Sequence, residues 1–131
     1  MGASKYIRKS FAETFNGELG KQRVRNWKRG GTVQRAEKPL NPGRARELGF
    51  KAKLGYFAVI VKTKRGRRSR DRPRIGRKPG KNRKRENPGK PWAWFAEQKA
   101  RRRYTNATVL GSHLVGRDGS VQFFEVLMKT K

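Results

Sequence analysis

At 131 residues the chain has the length of one domain, and a 33% share of hydrophobic residues leaves room for only a small core. Thirty-six Lys and Arg against nine Asp and Glu give a net charge of +27, and self-repulsion on that scale points to a dense polyanion as partner, RNA or DNA ahead of an anionic membrane. The absence of cysteine excludes a disulfide framework and thiolate chemistry, the amino-terminal MGASKYIRKS lacks the apolar stretch of a secretory signal, and the longest apolar run, Tyr56–Val61, is far short of the roughly 20 residues that span a bilayer; a soluble intracellular protein is expected.

Residues 4–16 have helical spacing. Ile7, Phe11 and Phe15 recur at i, i+4 and i+8, Ser4 is a candidate N-cap, and Lys5, Arg8 and Lys9 face outward. The pattern predicts an amphipathic helix docked on a core. Residues 17–40 carry no regular pattern. Arg23, Arg25, Lys28 and Arg29 surround Trp27, and Gly30-Gly31 ends any element there. Trp27 has two readings from the residues alone. It is a core anchor in a solvated basic surround, or a ring that stacks on a base while the cations take phosphates.

Asn41-Pro42 opens a short helix, since Asn caps well and Pro suits the first helical position. It runs through Arg44, Ala45, Arg46 and Leu48, and Gly49 stops it. FKAKLG, with Lys51 and Lys53 alternating against Phe50 and Ala52, reads as an extended approach to a strand. Tyr56–Lys64, YFAVIVKTK, is β-branched and aromatic and apolar on both faces through Val61, which predicts an internal strand.

The segment 62–90 then breaks the pattern. Fifteen of its 29 residues are Lys or Arg, opposed only by Asp71 and Glu86, and Ile75 is its one sizeable apolar side chain. Three prolines and four glycines interrupt it. Such a stretch buries too little apolar surface to offset its ordering entropy. An irregular loop is expected that exchanges its amides freely until a polyanion neutralises it.

A helix follows Pro91, with Trp92, Phe95, Ala96, Lys99 or Ala100, and Arg103 or Tyr104 on one face. Trp94 falls on the other side. It stacks on RNA beside Lys99 and Arg101–Arg103, or it packs under the basic loop, and packing is the favoured reading. Thr108–Met128 reads as a β-hairpin turning at Arg117-Asp118-Gly119, with Gly119 free to take positive φ. Together these elements predict an α+β domain: a small mixed sheet of three or more strands packed with helices, with a long irregular basic loop inserted between a central strand and a helix.

Catalytic chemistry is not evident. The nine carboxylates are scattered, and the single histidine, His113, lies in a strand without a second His or Cys, as a satisfied structural histidine would. No Walker loop and no GxGxxG is present. Neither an enzyme nor a cofactor, metal or small-molecule substrate is expected. Among nucleic acids, a long Arg-rich segment broken by Pro and Gly suits A-form RNA, which is held mostly through phosphate, ribose and shape. A sequence-specific DNA binder would show a recognition helix, and none stands out.

Four blocks also resemble one family, the archaeal and eukaryotic large-subunit ribosomal protein family fifteen-e. They are MGASKYIRKSFAE; RVRNWKR, with Arg23, Arg25 and Trp27; RARELGFKAKLGYFAVIVKTKRGRRSR, which contains the family's LG[FY]KAK-x-GY pattern at Leu48–Lys53, Gly55 and Tyr56; and VLGSHLVGRDGSVQFFEVLM, similar to the family's hairpin ending in FFEV at Phe123–Val126. The resemblance implies a structural constituent of the large ribosomal subunit, located in the cytoplasm, that binds large-subunit ribosomal RNA and neighbouring large-subunit proteins without catalysis. Relatives continue past the FFEV strand into another basic segment. This sequence stops at Lys131, so the contacts of that extension are expected to be absent or supplied by other components, unless the chain is a fragment.

The expected RNA-binding residues are Arg23, Arg25, Trp27, Lys28, Arg44, Arg46, Lys51 and Lys53, joined by Lys64, Arg65, Arg67, Arg68, Arg70, Arg72, Arg74, Arg77, Lys78, Lys81, Arg83, Lys84 and Arg85 of the threading segment. The alternatives are a free-standing nucleic-acid chaperone or DNA-compacting protein and a membrane-active cationic protein. The strands argue against the last.

Overall fold

The strand Tyr56–Lys64 is internal, as its two apolar faces require. In the structure, a computed structural model that describes residues 2–69, 77, 85–86 and 89–131, the elements in chain order are α1 (Ser4–Asn16), α2 (Glu18–Arg29), β1 (Val33–Ala36), α3 (Pro42–Glu47), β2 (Tyr56–Lys64), β3 (Arg68–Ser69), β4 (Arg85–Glu86), α4 (Trp92–Arg103), β5 (Ala107–Arg117) and β6 (Val121–Thr130). The main sheet runs β1-β2-β6-β5, so β2 pairs with β1 on one side and β6 on the other. The fold is α+β.

The sheet is antiparallel throughout and not mixed. The connection from β2 through α4 to β5 does join two strands of the same direction, but β6 inserts between them and pairs with both. This is a split crossover, in which the parallel strands never become neighbours.

Both faces of the sheet are covered. On one, Val59, Val61, Phe124, Val126 and Met128 pack with Ala96 and Ala100 of α4. On the other, Ile60, Phe123 and Val115 pack with Val24 of α2, and Ala58 and Leu127 pack with Ala45 of α3. Two small alanines, fully buried, let α4 approach the sheet closely. Gly116 has the same use on the other face: a Cβ there would stand 2.7 Å from Val24 Cγ2 and 3.1 Å from Trp27 Cζ3.

Several expectations need correction. Ser4 lies inside α1, whose flanking residue is Ala3, and no side chain caps it. The stretch 17–40 is largely regular. Glu18–Arg29 is a helix because Val24 and Trp27, three residues apart, reach one apolar cluster, and Val33–Ala36 is an edge strand whose ladder partner, β2, lies more than twenty residues on. The FKAKLG stretch bends and turns instead of extending, and Gly55 closes it at φ +90°. Pro91 precedes α4 instead of filling its first turn. The hairpin turn uses Asp118, whose N–H donates to Val121 O and whose Oδ1 accepts from Gly119 N; Gly119 is not at positive φ. Asn41 does cap α3, accepting from Arg44 N, and Pro42 follows it.

The basic segment is not wholly irregular: Arg68 and Ser69 form a short ladder with Glu86 and Arg85. Just before it, Trp92 Nε1 donates to Gly66 O at 2.9 Å. Trp92, and not Trp94, therefore ties the start of the segment to α4. Trp92→Phe keeps the ring against Phe95 and removes the donor. It should cost about 1 kcal/mol in thermal unfolding and speed amide exchange at residues 65–67. Unchanged exchange there would show that the bond does not hold this junction.

Candidate nucleic-acid interface

A cation can bind phosphate only if its own protein leaves it unneutralised, so the ion pairs come first. Arg25 pairs with Glu18, Lys28 with Asp118, and Arg8 and Arg44 with Glu47. All are surface pairs, worth little and screened by salt, and an incoming phosphate can replace any of those carboxylates. Arg44 and Arg8 hold the Glu47 carboxyl below its ordinary value of 4.5, so the folded chain releases that proton more readily than the unfolded one. The stabilisation is complete above about pH 4.5 and drains away as pH falls below it. Glu47→Gln should flatten this acid limb of the melting curve. Equal slopes in wild type and variant between about pH 5 and 3 would refute the linkage.

The end of β2 gathers cations around one carboxylate. Lys28 pairs with Asp118, Arg65 Nη1 donates to Asp118 O at 2.9 Å, Lys62 Nζ donates to Lys28 O at 3.3 Å and Lys99 Nζ to Lys62 O at 2.8 Å. The Lys28 ammonium, with lesser help from the Gly119 N–H, lowers the Asp118 pKa. Burial, then the neighbouring charges of Lys64 and Lys62, push the Lys99 ammonium down. Asp118 answers Lys28 and Arg65, while Lys62, Lys64 and Lys99 find no carboxylate among the described residues, so the group is under-neutralised and an anion would relieve the repulsion. Lys62 and Lys99 were missing from the sequence-based set. Lys99 was visible as an alternative to Ala100 on the buried face of α4 and as a cation near Trp94.

A second group stands at the start of β2, roughly 26 Å away by the rise of a nine-residue strand. Arg46, Lys51 and Lys53 are exposed there, and Lys53 Nζ lies 5.8 Å from the Tyr56 ring centroid. Lys64, Arg65, Arg67 and Arg77 are exposed. Arg68 and Arg85 sit in the short ladder. Arg70, Arg72, Arg74, Lys78, Lys81, Arg83 and Lys84 lie outside the described residues.

Trp27 is half-buried. Its ring centroid is 5.5 Å from that of the fully buried Phe123, within the Val24–Ile60–Val115 cluster. The rest of it borders a hollow of about 420 Å³ shared with Arg23, Arg35 and Leu40. Trp94 is exposed, edge-on to Phe95, with Lys90 Nζ 6.0 Å from its centroid.

His113 is partly buried, with Nε2 2.8 Å from Oε2 of the fully buried Glu125. Both Glu125 oxygens accept from Leu40 N, at 3.0 and 3.2 Å. The His113 contact is close but off the hydrogen-bonding axis, and Nδ1 has no partner among the described residues, so the histidine is only partly satisfied. The pair anchors the β1–α3 connection to the sheet. Among the described residues no group of three or more His, Asp or Glu could hold a metal ion, and no helix is long and apolar enough to cross a membrane.

Fold and site define a class: a small, strongly basic α+β protein that displays cations at both ends of a central strand around a sheet closed on both faces. Residues 2–130 match the family model described as Ribosomal L15. The chain belongs to that family, the L15e proteins, which are structural proteins of the large ribosomal subunit.

Proposed function

We propose that this chain binds and stabilises large-subunit ribosomal RNA by phosphate neutralisation. The chain acts as one domain, 1–131, whose segment 62–90 threads between RNA elements where a folded element would be too bulky. The observation that carries this reading is the cation cluster at the root of that segment. Lys28 and Arg65 meet Asp118, while Lys62, Lys64 and Lys99 have no carboxylate partner among the described residues, and the chain that leaves this point is Lys- and Arg-rich. Polyphosphate supplies what the cluster lacks. Arg46, Lys51 and Lys53 give a second anchor, Arg23 is without a carboxylate partner among the described residues, and Arg25 and Arg44 join once phosphate competes with Glu18 and Glu47. The contacts of Lys64 through Arg85 are mainly with phosphate; they position RNA and read no bases. The role is structural, in the cytoplasmic ribosome beside other large-subunit proteins.

Sedimentation tests it. In a high-magnesium gradient the tagged chain should travel with large subunits. Recovery at the top of the gradient, or on DNA with no enrichment on subunits, would overturn the proposal in favour of a free-standing nucleic-acid chaperone or DNA-compacting protein.

A further inference from the structure

At the end of the sheet where β2 begins, a pocket of about 290 Å³ is lined by Arg35, Tyr56, Phe57, Tyr104, Asn106 and Thr130. Its size is that of the smallest ligand sites, which start at roughly 300 Å³. None of these residues belongs to the cation groups described above. The Arg35 guanidinium lies 4.9 Å from the Phe57 ring centroid, and Phe57 meets Tyr104 edge to face at 5.2 Å. Arg35 is exposed and lines the pocket while its guanidinium lies over Phe57.

The polar groups there are uncommitted. Asn106 is exposed, and among the described residues its side-chain amide has no hydrogen-bond partner. Its backbone carbonyl is taken by Lys131 N, which fixes the residue beside the sheet. Among the described residues no carboxylate lines the pocket. Lys53 and Lys129 bring their ammonium groups to 5.8 and 5.7 Å from the Tyr56 ring centroid, where Tyr56 meets Phe50 on the sheet face opposite Phe57. The turn that brings Lys53 here depends on Gly55 at φ +90°, and Gly55 O accepts from Thr130 N at 2.7 Å.

We infer that this pocket takes a single unstacked nucleotide of RNA, its base lying against the Arg35 guanidinium beside Tyr104 and its edge hydrogen-bonded by the Asn106 amide. A planar cation, aromatic edges and an amide that both donates and accepts are what a splayed-out base requires. The inference rests on the RNA-binding reading above and adds to it a contact that depends on the base.

The test compares two single-stranded RNAs of equal length and charge, one of mixed sequence and one abasic, binding to the full chain at moderate salt. Stacking is worth enough per base that the wild type should prefer the base-bearing strand by roughly tenfold or more. Arg35→Lys keeps the charge and loses the plane, and Asn106→Ala removes the amide. Both should cut that preference several-fold and leave abasic affinity and melting temperature near wild type. Tyr104 is left intact because it packs on the core. A preference unchanged in both variants, or no preference in the wild type, would overturn the pocket and leave electrostatic RNA binding standing. A chain that binds neither strand and stays at the top of the gradient would fail the broader reading as well.

Discussion

Val59→Asp should abolish most of the stability of this fold, and Ile60→Asp should do the same from the opposite face. Val59 is fully buried between the sheet and α4, and Ile60 is 3% exposed beneath α2. β2 is hydrogen-bonded on both edges, so neither side chain can turn to water by fraying the strand. A carboxylate at 59 would be buried among the apolar side chains of β6 and α4, with the exposed Arg35 its cross-strand partner on β1. At 60 it would stand directly across from Glu125, which is already fully buried. The cost is several kcal/mol in either case, a large share of the roughly 5–15 kcal/mol typical of a domain, and melting should fall by about 10 °C or more. Near-wild-type melting of both variants would mean that β2 is not internal.

Trp27→Ala is expected to act chiefly on folding. The ring leans on Phe123 at 5.5 Å and reaches the space that Gly116 leaves empty. Removing it opens a cavity between α2 and the sheet and should cost about 3 kcal/mol, the lower end for a core Trp because this one is half-buried. Trp94→Ala should cost well under 1 kcal/mol, since Trp94 stands at the surface. Thermal melting and ribosomal RNA affinity, measured on both variants, separate the roles. If Trp27→Ala melts like the wild type but loses affinity, the ring stacks on RNA and its core contact is incidental.

What was legible in the sequence follows from how local each signal is. β2 was readable at both ends because six consecutive apolar residues need no partner to announce a strand covered on both faces. The Asn41-Pro42 start of α3 is a capping signal contained in a few residues. α1 was readable from one stripe, although its first residue was not. α2 was missed because its sequence, ELGKQRVRNWKR, carries only Val24 and Trp27 toward the sheet and many cations elsewhere, so it depends on tertiary packing more than on periodicity. β1 was missed because four residues with two polar members make a strand only beside β2.

The candidate interface was legible as composition and not as geometry. Charge density identified the segment 62–90 as a polyanion-binding stretch. It did not say that Lys28 and Asp118, ninety residues apart, would pair, or that Arg8 would share Glu47 with Arg44. Lys62 and Lys99 meet only after α4 packs on β2. The pocket beside Tyr104 assembles from β1, β2, the end of α4 and the last strand, and no local pattern foretells it.

The central claim is that phosphate neutralisation holds this protein on large-subunit ribosomal RNA. Its most direct test is the equilibrium affinity of the full chain for that RNA across a series of monovalent salt concentrations. About ten phosphate contacts predict a log–log slope of roughly −7 to −9. A slope shallower than about −3 would mean that stacking or shape contacts dominate, and would contradict the account.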